Sequence, residues 1–464
     1  MKNFLYIDQE VPIFMLPSSG LENRLDPYYY NSALKDFTSS NLYEIVKISE
    51  VVYSFQSGFG VGRQDQAEES KESIIQIRPT NLDKFGLLKF DKNVFIPKTL
   101  INSDNHLLEY GDVVFNNTNS QEWVGKTAYY DLTEKMAFSN HITVLKAKQN
   151  KILPQYLWII LNVYQQKKIF FSICTNWNNQ SGIGLELLKS LKIPLPTIPQ
   201  QQEIIDIWNT AINSKQQKQA EAQSLLESID DYLLTELGIT LPEKDNSLKN
   251  RIFTTSSKDV SGKRFDPSAN YYERIKTIQA IKNSKFEAVT LKKIFRIDNR
   301  LSNESDSHYL GLESIESNTG FILSLLNGSD YSSALEFNEN DILFSKLRPY
   351  LNKVYFATFK GICSTEFHIL KPLSKEIDPT FYSIFLRSKA ILNQTYHLMS
   401  GNTLPRLQTN DILELVVPKV DFTLQLVINK FYINNIDKVK FLQKEADYEM
   451  VIANKRIENI ILKN

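Results

Sequence analysis

Two long amphipathic segments dominate the pattern of apolar and polar positions. Along each of them, core-type side chains recur at alternating spacings of three and four residues, which is the a/d pattern of a heptad repeat and predicts a long helix. Pro199 lies where a first helical turn tolerates proline, and Gly238 suits the end of the first helix. The first stripe, which is polar in its middle, is Ile205, Trp208, Ile212, Lys215, Gln219, Ala222, Leu226, Ile229 and Leu233; the second is Ile436, Val439, Leu442, Ala446, Met450, Ala453, Ile457 and Ile460.

Shorter runs before each long segment predict small strands. They alternate or are rich in β-branched and aromatic residues, and loops of Asn, Ser and Gly separate them. A short helix is predicted after each set, at 155–164 and 380–388. The fold class expected is α+β, with small mixed sheets beside helices. The predicted strands are 73–77, 113–115 and 142–145 in the first half, and 342–344, 353–356 and 367–370 in the second.

Matching segments recur in the same order in the two halves. Their offsets fall from 240 to about 220 residues, as expected for a duplication with insertions and deletions in loops. We call the two halves the first and the second copy. The matches are Arg24-Leu25-Asp26-Pro27 with Arg264-Phe265-Asp266-Pro267, Leu108-Glu109 and Asp112–Phe115 with Leu335-Glu336 and Asp341–Phe344, Ser139–Lys146 with Ser364–Lys371, Pro154 and Tyr156 with Pro379 and Phe381, Ser181-Gly182 with Ser400-Gly401, and 186–196 with 411–419.

A duplicated chain with two matched stripes predicts that the long helices pack on each other, antiparallel, with a pseudo-two-fold relation between the copies. A helix of about 38 residues is about 57 Å long, whereas one turn of duplex DNA is about 34–36 Å. The helices could therefore hold two globular copies about one turn apart. The predicted boundaries are 1–198, first copy; 199–238, first long helix; 239–258, linker; 259–421, second copy; and 422–464, second long helix.

Composition narrows the class of protein. Of 464 residues, 42% are hydrophobic and 23% charged, which is enough to build cores. Cys174 and Cys363 are too few for a disulfide scaffold or a metal cluster. Neither a signal peptide nor a run of 18 apolar residues is present, so we expect a soluble cytoplasmic protein without a membrane partner. The net charge of zero counts against a simple nucleic-acid binder, although the acidic stretch 200–237 leaves a basic excess elsewhere.

The junction before the first long helix carries a resemblance. The segment 193–205, IPLPTIPQQQEII, resembles the junction between recognition domain and helix in Type I restriction–modification specificity (S) subunits. Gln202-Glu203 stands where that family usually has Glu-Gln, and 416–428 keeps the apolar-proline part without the acidic residue. The two Arg-x-Asp-Pro openings and the strand at 111–114 also resemble the family.

The resemblance implies a function for each part. Each copy would be a target recognition domain that reads one half of a bipartite, asymmetric site in double-stranded DNA. The helices would space the domains and bind two methyltransferase (modification) subunits, and restriction subunits would join them. The chain would hold no catalytic residue, metal or cofactor. S-adenosylmethionine, ATP and magnesium would belong to the partner subunits, which carry out adenine methylation and restriction.

Three local patterns resemble enzyme motifs, but each lacks a feature that its motif needs. Asp26-Pro27-Tyr28-Tyr29 lacks the second proline of a methyltransferase loop, and no amphipathic helix follows the glycines at 58, 60 and 62. Gly125-Lys126-Thr127 ends like a phosphate-binding loop, but residue 120 is Ser120 where glycine is needed. The remaining alternatives are a stand-alone nuclease or methyltransferase, and a two-domain scaffold that does not bind DNA.

Polar loops at two places in each copy are the candidate DNA contacts. Side chains with fork-like donors and acceptors read base edges, and cations or backbone amides bind phosphates. The candidates lie after the strands that begin near Asp112 and Asp341, and before the last short helix of each copy. In the first copy they are Asn116, Asn117, Asn119, Gln121 and Lys126, with Asn178, Asn179, Gln180 and Ser181; in the second they are Lys346 and Arg348, with Asn402, Thr403 and Arg406.

Overall fold

The chain is divided into two compact units. One comprises Met1–Gln217 and Glu445–Asn464, and the other Lys218–Lys444. The first unit thus holds the beginning of the first long helix and the end of the second, and the second unit holds the reverse, as antiparallel helices require. The computed structural model describes residues 33–39, 42–177, 180–245, 267–302, 308–327, 333–401 and 404–462, and short segments at 5–6, 12–13, 247–248, 252, 254 and 256.

The first unit contains the first copy. Its main sheet is antiparallel, with strand order β4-β11-β7-β9, and β10, β5 and β6 form a second sheet. The strands are β1 (Leu5–Tyr6), β2 (Pro12–Ile13), β3 (Glu44–Lys47), β4 (Val52–Ser57), β5 (Ser73–Ile77), β6 (Phe95–Pro97), β7 (Val113–Asn116), β8 (Thr118–Asn119), β9 (Thr127–Tyr129), β10 (Ala137–Phe138), β11 (Ile142–Ala147), β12 (Thr175–Trp177), β13 (Gln180–Gly182) and β14 (Lys192–Leu195). The helices are α1 (Leu34–Thr38), α2 (Ile48–Val51), α3 (Pro154–Gln166), α4 (Ile169–Ile173), α5 (Leu185–Ser190) and α6 (Ile198–Leu237), the last of which continues into the second unit.

The second unit repeats this topology. Its main sheet has the order β16-β23-β20-β21, and in both units a parallel strand pair lies in the neighbouring sheet. The strands are β15 (Glu287–Thr290), β16 (Phe295–Ile297), β17 (His308–Leu310), β18 (Leu326–Asn327), β19 (Leu335–Phe337), β20 (Ile342–Ser345), β21 (Val354–Phe356), β22 (Gly361–Cys363), β23 (Phe367–Pro372) and β24 (Val416–Lys419). The helices are α7 (Tyr272–Lys282), α8 (Pro379–Arg387), α9 (Lys389–Thr395), α10 (Thr409–Leu413) and α11 (Phe422–Leu462). The predicted α+β fold and internal repeat are confirmed.

The stripe positions of the long helices are buried or half-buried within their units, except for Gln219 in the polar middle of the first stripe, which is exposed. In the first, Trp208 of α6 and Met450 of α11 belong to the core that also packs α3. In the second, Leu233 of α6 and Val439 of α11 share a core with α8. Gly238 ends α6 with a positive φ of 68°, as its predicted capping role requires.

A buried glutamine anchors each long helix to its own copy. Gln201 accepts a hydrogen bond from the Leu153 amide (2.8 Å) and donates to the carbonyls of Lys151 (3.1 Å) and Pro196 (2.9 Å). The second copy repeats this arrangement with Gln425, which accepts from the Asp378 amide (2.7 Å) and donates to the carbonyls of Glu376 (3.2 Å) and Val420 (2.8 Å). Because a buried amide side chain must have partners, these bonds fix the angle at which each helix leaves its copy.

A second repeated device is an ion pair at the start of the central strand. Lys146 lies 3.0 Å from Asp112, and Lys371 lies 3.4 Å from Asp341. Each aspartate also accepts a hydrogen bond from the amide three residues before it, that of Glu109 or Asn338. These pairs join residues that the sequence repeat matched.

One of the predicted matches needs correction by a residue. Tyr156 and Phe381 occupy the same position relative to the start of their helices. However, the hydrogen bond that the Tyr156 hydroxyl makes is made in the second copy by Tyr382, because phenylalanine has no hydroxyl. Tyr156 donates to the Pro194 carbonyl (2.8 Å), and Tyr382, one residue beyond Phe381, donates to the Pro418 carbonyl (3.1 Å). The remaining element boundaries agree within one or two residues, as hydrogen-bond definitions of element ends allow.

Candidate nucleic-acid interface

The two predicted loop groups of the first copy lie together. After β7 the chain forms β8, which pairs with β13, and β13 pairs in turn with β12. Asn119 lies opposite Ser181 in this small sheet. Segments about 60 residues apart in the sequence thus form one polar surface. Asn178 and Asn179 lie outside the described residues.

Several of these candidates hold the loop in place rather than face solvent. Asn116 is fully buried; its amide donates to the carbonyls of Thr118 (2.8 Å) and His141 (3.0 Å), and its oxygen accepts from Asn119 (2.7 Å). Ser181 is buried and donates to Asn176 (2.6 Å). These side chains build the small sheet, so they are poorly placed to reach a base edge.

Lys126 is likewise turned inward. Its ammonium donates to the carbonyls of Pro79 (3.0 Å) and Leu82 (2.6 Å), and burial lowers the pKa of Lys126 to about 8. A cation with these partners is unavailable to a phosphate. The same contacts argue against a nucleotide site at Gly125-Lys126-Thr127. Gln121, which donates to the Phe171 carbonyl (3.0 Å), ties this loop to α4.

The surface of the small sheet is polar and aromatic. Gln180, Asn176 and Thr175 are exposed, and Asn117 is half-buried. Trp177 is 46% exposed. Trp177 is not among the predicted contacts, although an aromatic residue inside an Asn-rich segment is a usable signal for a binding surface.

The loop groups of the second copy also meet. Leu347 pairs with Arg406, and Arg406 pairs with Ser400. The Arg348 amide donates to the Pro405 carbonyl (2.7 Å). Asn402 and Thr403 lie outside the described residues.

The cations of the second copy differ in availability. Arg406 forms a forked pair with Glu366, with Nη2–Oε1 at 2.9 Å and Nε–Oε2 at 3.1 Å. Lys346 donates to the Thr365 carbonyl (2.7 Å), and burial lowers the pKa of Lys346. Arg348 is exposed, on a left-handed backbone with φ of 49°. Arg348 is therefore the side chain best placed for a phosphate, and Arg406 the one held in a fixed orientation.

Equivalent backbone hydrogen bonds align the two interfaces residue by residue. The Ile183 amide donates to the Asn117 carbonyl, and the Leu407 amide to the Lys346 carbonyl, both at 2.9 Å. Ile183 therefore corresponds to Leu407. The residue before each of them corresponds too, so Gly182 is equivalent to Arg406.

The predicted match of Ser181-Gly182 with Ser400-Gly401 is therefore wrong. Ser400 pairs with Arg406 as Thr175 pairs with Gly182. The loop between the paired residues is one residue shorter in the second copy, and a short Ser-Gly match cannot register such a difference.

Sheet pairing likewise equates His141 with Glu366 and Thr143 with His368, since Thr143 lies opposite Phe115 and His368 opposite Phe344.

The described part of the chain was predicted to hold neither a metal site nor a membrane-spanning helix. There, no group of three or more His, Cys, Asp or Glu side chains could hold a metal ion. None of the helices described is both long and apolar enough to cross a bilayer. The segment Asp26-Pro27-Tyr28-Tyr29 lies outside the described residues.

Comparison with known families identifies the domain that carries this interface. Residues 31–225 match the family model of the Type I restriction modification DNA specificity domain. The first copy is therefore similar to Type I specificity domains. The resemblance seen in the sequence is confirmed, and the match extends from β3 and its flanking helix into α6.

Two curated relatives match part of this chain. The putative type I restriction enzyme MjaX specificity subunit of Methanocaldococcus jannaschii is 40% identical over 151 residues, which is 32% of each chain. The type I restriction enzyme EcoDI specificity subunit of Escherichia coli is 33% identical over 87 residues, 19% of each chain. The chain thus aligns with a third or less of these relatives.

Solved structures of such subunits share a similar length. A Type-I restriction-modification S subunit from M. genitalium matches at 14% identity with a TM-score of 0.39, covering 91% of this chain and 97% of that one. A structure concerned with complex assembly and conformational transition of the type I system matches at 13% identity, TM-score 0.45, with the same coverages.

Proposed function

We propose that this chain is the DNA specificity subunit of a Type I restriction–modification complex. Each copy reads one half of a bipartite, asymmetric duplex site, and the chain itself is not catalytic. The observation that carries this proposal is that two copies of one frame present different side chains at equivalent positions of the interface. Gly182 in one copy and Arg406 in the other are the clearest example.

The proposal assigns the remaining activities to partners. Two methyltransferase subunits bind along α6 and α11, and restriction subunits join that assembly. Adenine methylation and restriction then use S-adenosylmethionine, ATP and magnesium held by those subunits. The acidic character of α6, with two lysines against seven acidic residues in 200–237, suits a protein partner better than DNA.

A domain exchange tests the two-reader arrangement. Residues 1–198 are replaced by the first recognition domain of another specificity subunit, and the modified bases of the host genome are mapped. We expect one half of the site to change and the other to persist. If both halves change, or neither, the two-reader proposal is wrong.

A second experiment tests the spacing role of the helices. One heptad is removed from α6 and one from α11, at positions that keep both apolar stripes in register. The two recognised half-sites should remain while the gap between them changes. An unchanged gap would contradict a spacer role.

Sequence-specific binding should also weaken steeply with salt, because phosphate contacts release counterions.

A further inference from the structure

A pocket lies at the end of the main sheet of the first copy, beside the small sheet. Its volume is about 220 Å³, and Ser57, Asn117, Thr118, Thr143, Trp177 and Gly182 line it. Drug-sized ligand sites are larger, roughly 300–1,000 Å³. The pocket therefore suits one small planar group.

Trp177 forms one wall of this pocket and is held against the backbone. A Cβ atom at Gly182 would lie 2.4 Å from the Cη2 atom of the indole, so only glycine lets the ring approach the hairpin this closely. The ring nevertheless remains 46% exposed. A tryptophan fixed on one side and open to solvent is a stacking platform for another flat ring.

The opposite wall is polar and ordered by its own hydrogen bonds. Thr118 donates to the Asn117 oxygen (2.8 Å), and the Asn117 amide donates to Thr143 (2.9 Å) and to the Asn140 carbonyl (3.3 Å). Among the described bonds the Asn117 oxygen accepts one, and a carbonyl oxygen can accept two. An exocyclic amino group, as on adenine or cytosine, fits this acceptor.

The second copy has larger side chains at two of the positions that line this pocket. His368 stands where the first copy has Thr143, and Arg406 stands where it has Gly182. His368 is fully buried, whereas Arg406 extends to Glu366. Two small residues that line the pocket in the first copy are thus replaced by large ones in the second.

We propose that this pocket receives one base of the bound DNA, turned out of the helical stack and held against Trp177. The inference rests on the proposed DNA-reading function and names a ligand for one site within it. Stacking of a base on an aromatic side chain is worth about 1–3 kcal/mol. Turning a base out costs a few kcal/mol, and least when the base is mispaired. A mismatch at the position of the displaced base should therefore strengthen binding.

The test measures binding of the full chain to duplexes that carry a single mismatch at each position of the first half-site in turn. With Trp177 intact, a mismatch at one position should tighten binding about three- to tenfold, where tenfold corresponds to 1.4 kcal/mol. Trp177→Ala should abolish that gain, and Trp177→Phe should keep most of it. Trp123→Ala is the matched control, because Trp123 is 42% exposed in the adjacent loop and does not line the pocket.

The outcomes separate this inference from the function on which it rests. If every mismatch weakens binding, or the gain survives Trp177→Ala, the pocket does not hold a base, while discrimination of both half-sites would still support a DNA reader. If the unaltered chain shows no sequence-specific binding, the proposed function fails with it. Unchanged discrimination at the other base pairs of the first half-site shows that the first copy of each variant is folded.

Discussion

The two copies carry different side chains at positions where their backbone hydrogen bonds are equivalent. Asn117 and Lys346 occupy the same position, and each accepts an equivalent backbone hydrogen bond from Ile183 or Leu407. Around these bonds the first copy presents a tryptophan platform and a pocket, and the second an arginine paired with Glu366. The frame thus places different side chains at the same points, as two readers of different half-sites need.

The difference also shows which polar residues belong to the frame. Gln201 and Gln425 are buried and satisfy backbone groups of the loop before α3 and α8, and they are the same residue type in both copies. The interface positions exchange glycine for arginine and threonine for histidine. Buried polar groups with several partners tolerate little change, whereas a partly exposed position such as that of Arg406 is free to change the base pair that it reads.

The largest expected effect is on the shared frame. Gln201→Ala and Gln425→Ala each remove three hydrogen bonds and leave a backbone amide, that of Leu153 or Asp378, without its partner. Each should destabilise its own unit by about 3–4 kcal/mol, measured by native-state hydrogen exchange. Gln202→Ala is the control, since Gln202 is exposed and bonds only Asp206 among the described contacts. A large loss in one copy alone would contradict a common frame.

The next effect is a loss of stability at acidic pH that comes from His368 of the second copy. Burial lowers the pKa of His368 to about 4, below its value of about 6.5 in the unfolded chain. The unfolded state therefore binds a proton first as the pH falls, and stability present above pH 6.5 is lost between about pH 6.5 and 4. Between pH 7 and 5 the loss should be about 2 kcal/mol.

His368→Phe tests this pH dependence. Because the slope of stability against pH is compared rather than stability itself, an imperfect fit of the phenylalanine does not disturb the result. The variant should lose the His368 part of the slope, as measured by urea unfolding from pH 7 to 5. An equal slope in both proteins would mean that His368 titrates normally in the folded state.

The helices, the sheets and the duplication could be predicted from the sequence because each depends on periodicity or order. The individual contacts could not. Asn116 and Asn176 are both asparagines in polar stretches of the sequence, yet Asn116 is buried against the His141 carbonyl and Asn176 is exposed. Likewise Lys126 was a predicted DNA contact. Its actual partners, the carbonyls of Pro79 and Leu82, could not be predicted because they lie more than 40 residues away in the chain.

Smaller effects should separate the cations of the second interface. Arg406 is held in one orientation by Glu366, which favours recognition of one base edge over general attraction. Arg406→Ala should reduce discrimination at one base pair of the second half-site by about 1–2 kcal/mol and leave the first half-site unchanged. The measurement is binding to duplexes with each base pair substituted. Lys292→Ala, which breaks the exposed pair with Glu414 away from the interface loops, is the control. A uniform loss at all positions would make Arg406 a phosphate contact instead.

Arg348 should show the smallest effect and the opposite pattern. It is exposed, and its backbone amide is fixed by the Pro405 carbonyl (2.7 Å). An exposed guanidinium at a loop tip gains affinity from phosphate without reading bases. Arg348→Gln should therefore weaken binding to all sequences by less than about 1 kcal/mol and reduce the slope of log affinity against log salt by about one unit. The titrations are repeated at several salt concentrations, and the loss should shrink as salt rises. A loss confined to one base pair would instead place Arg348 among the base readers and make it an equivalent of Arg406.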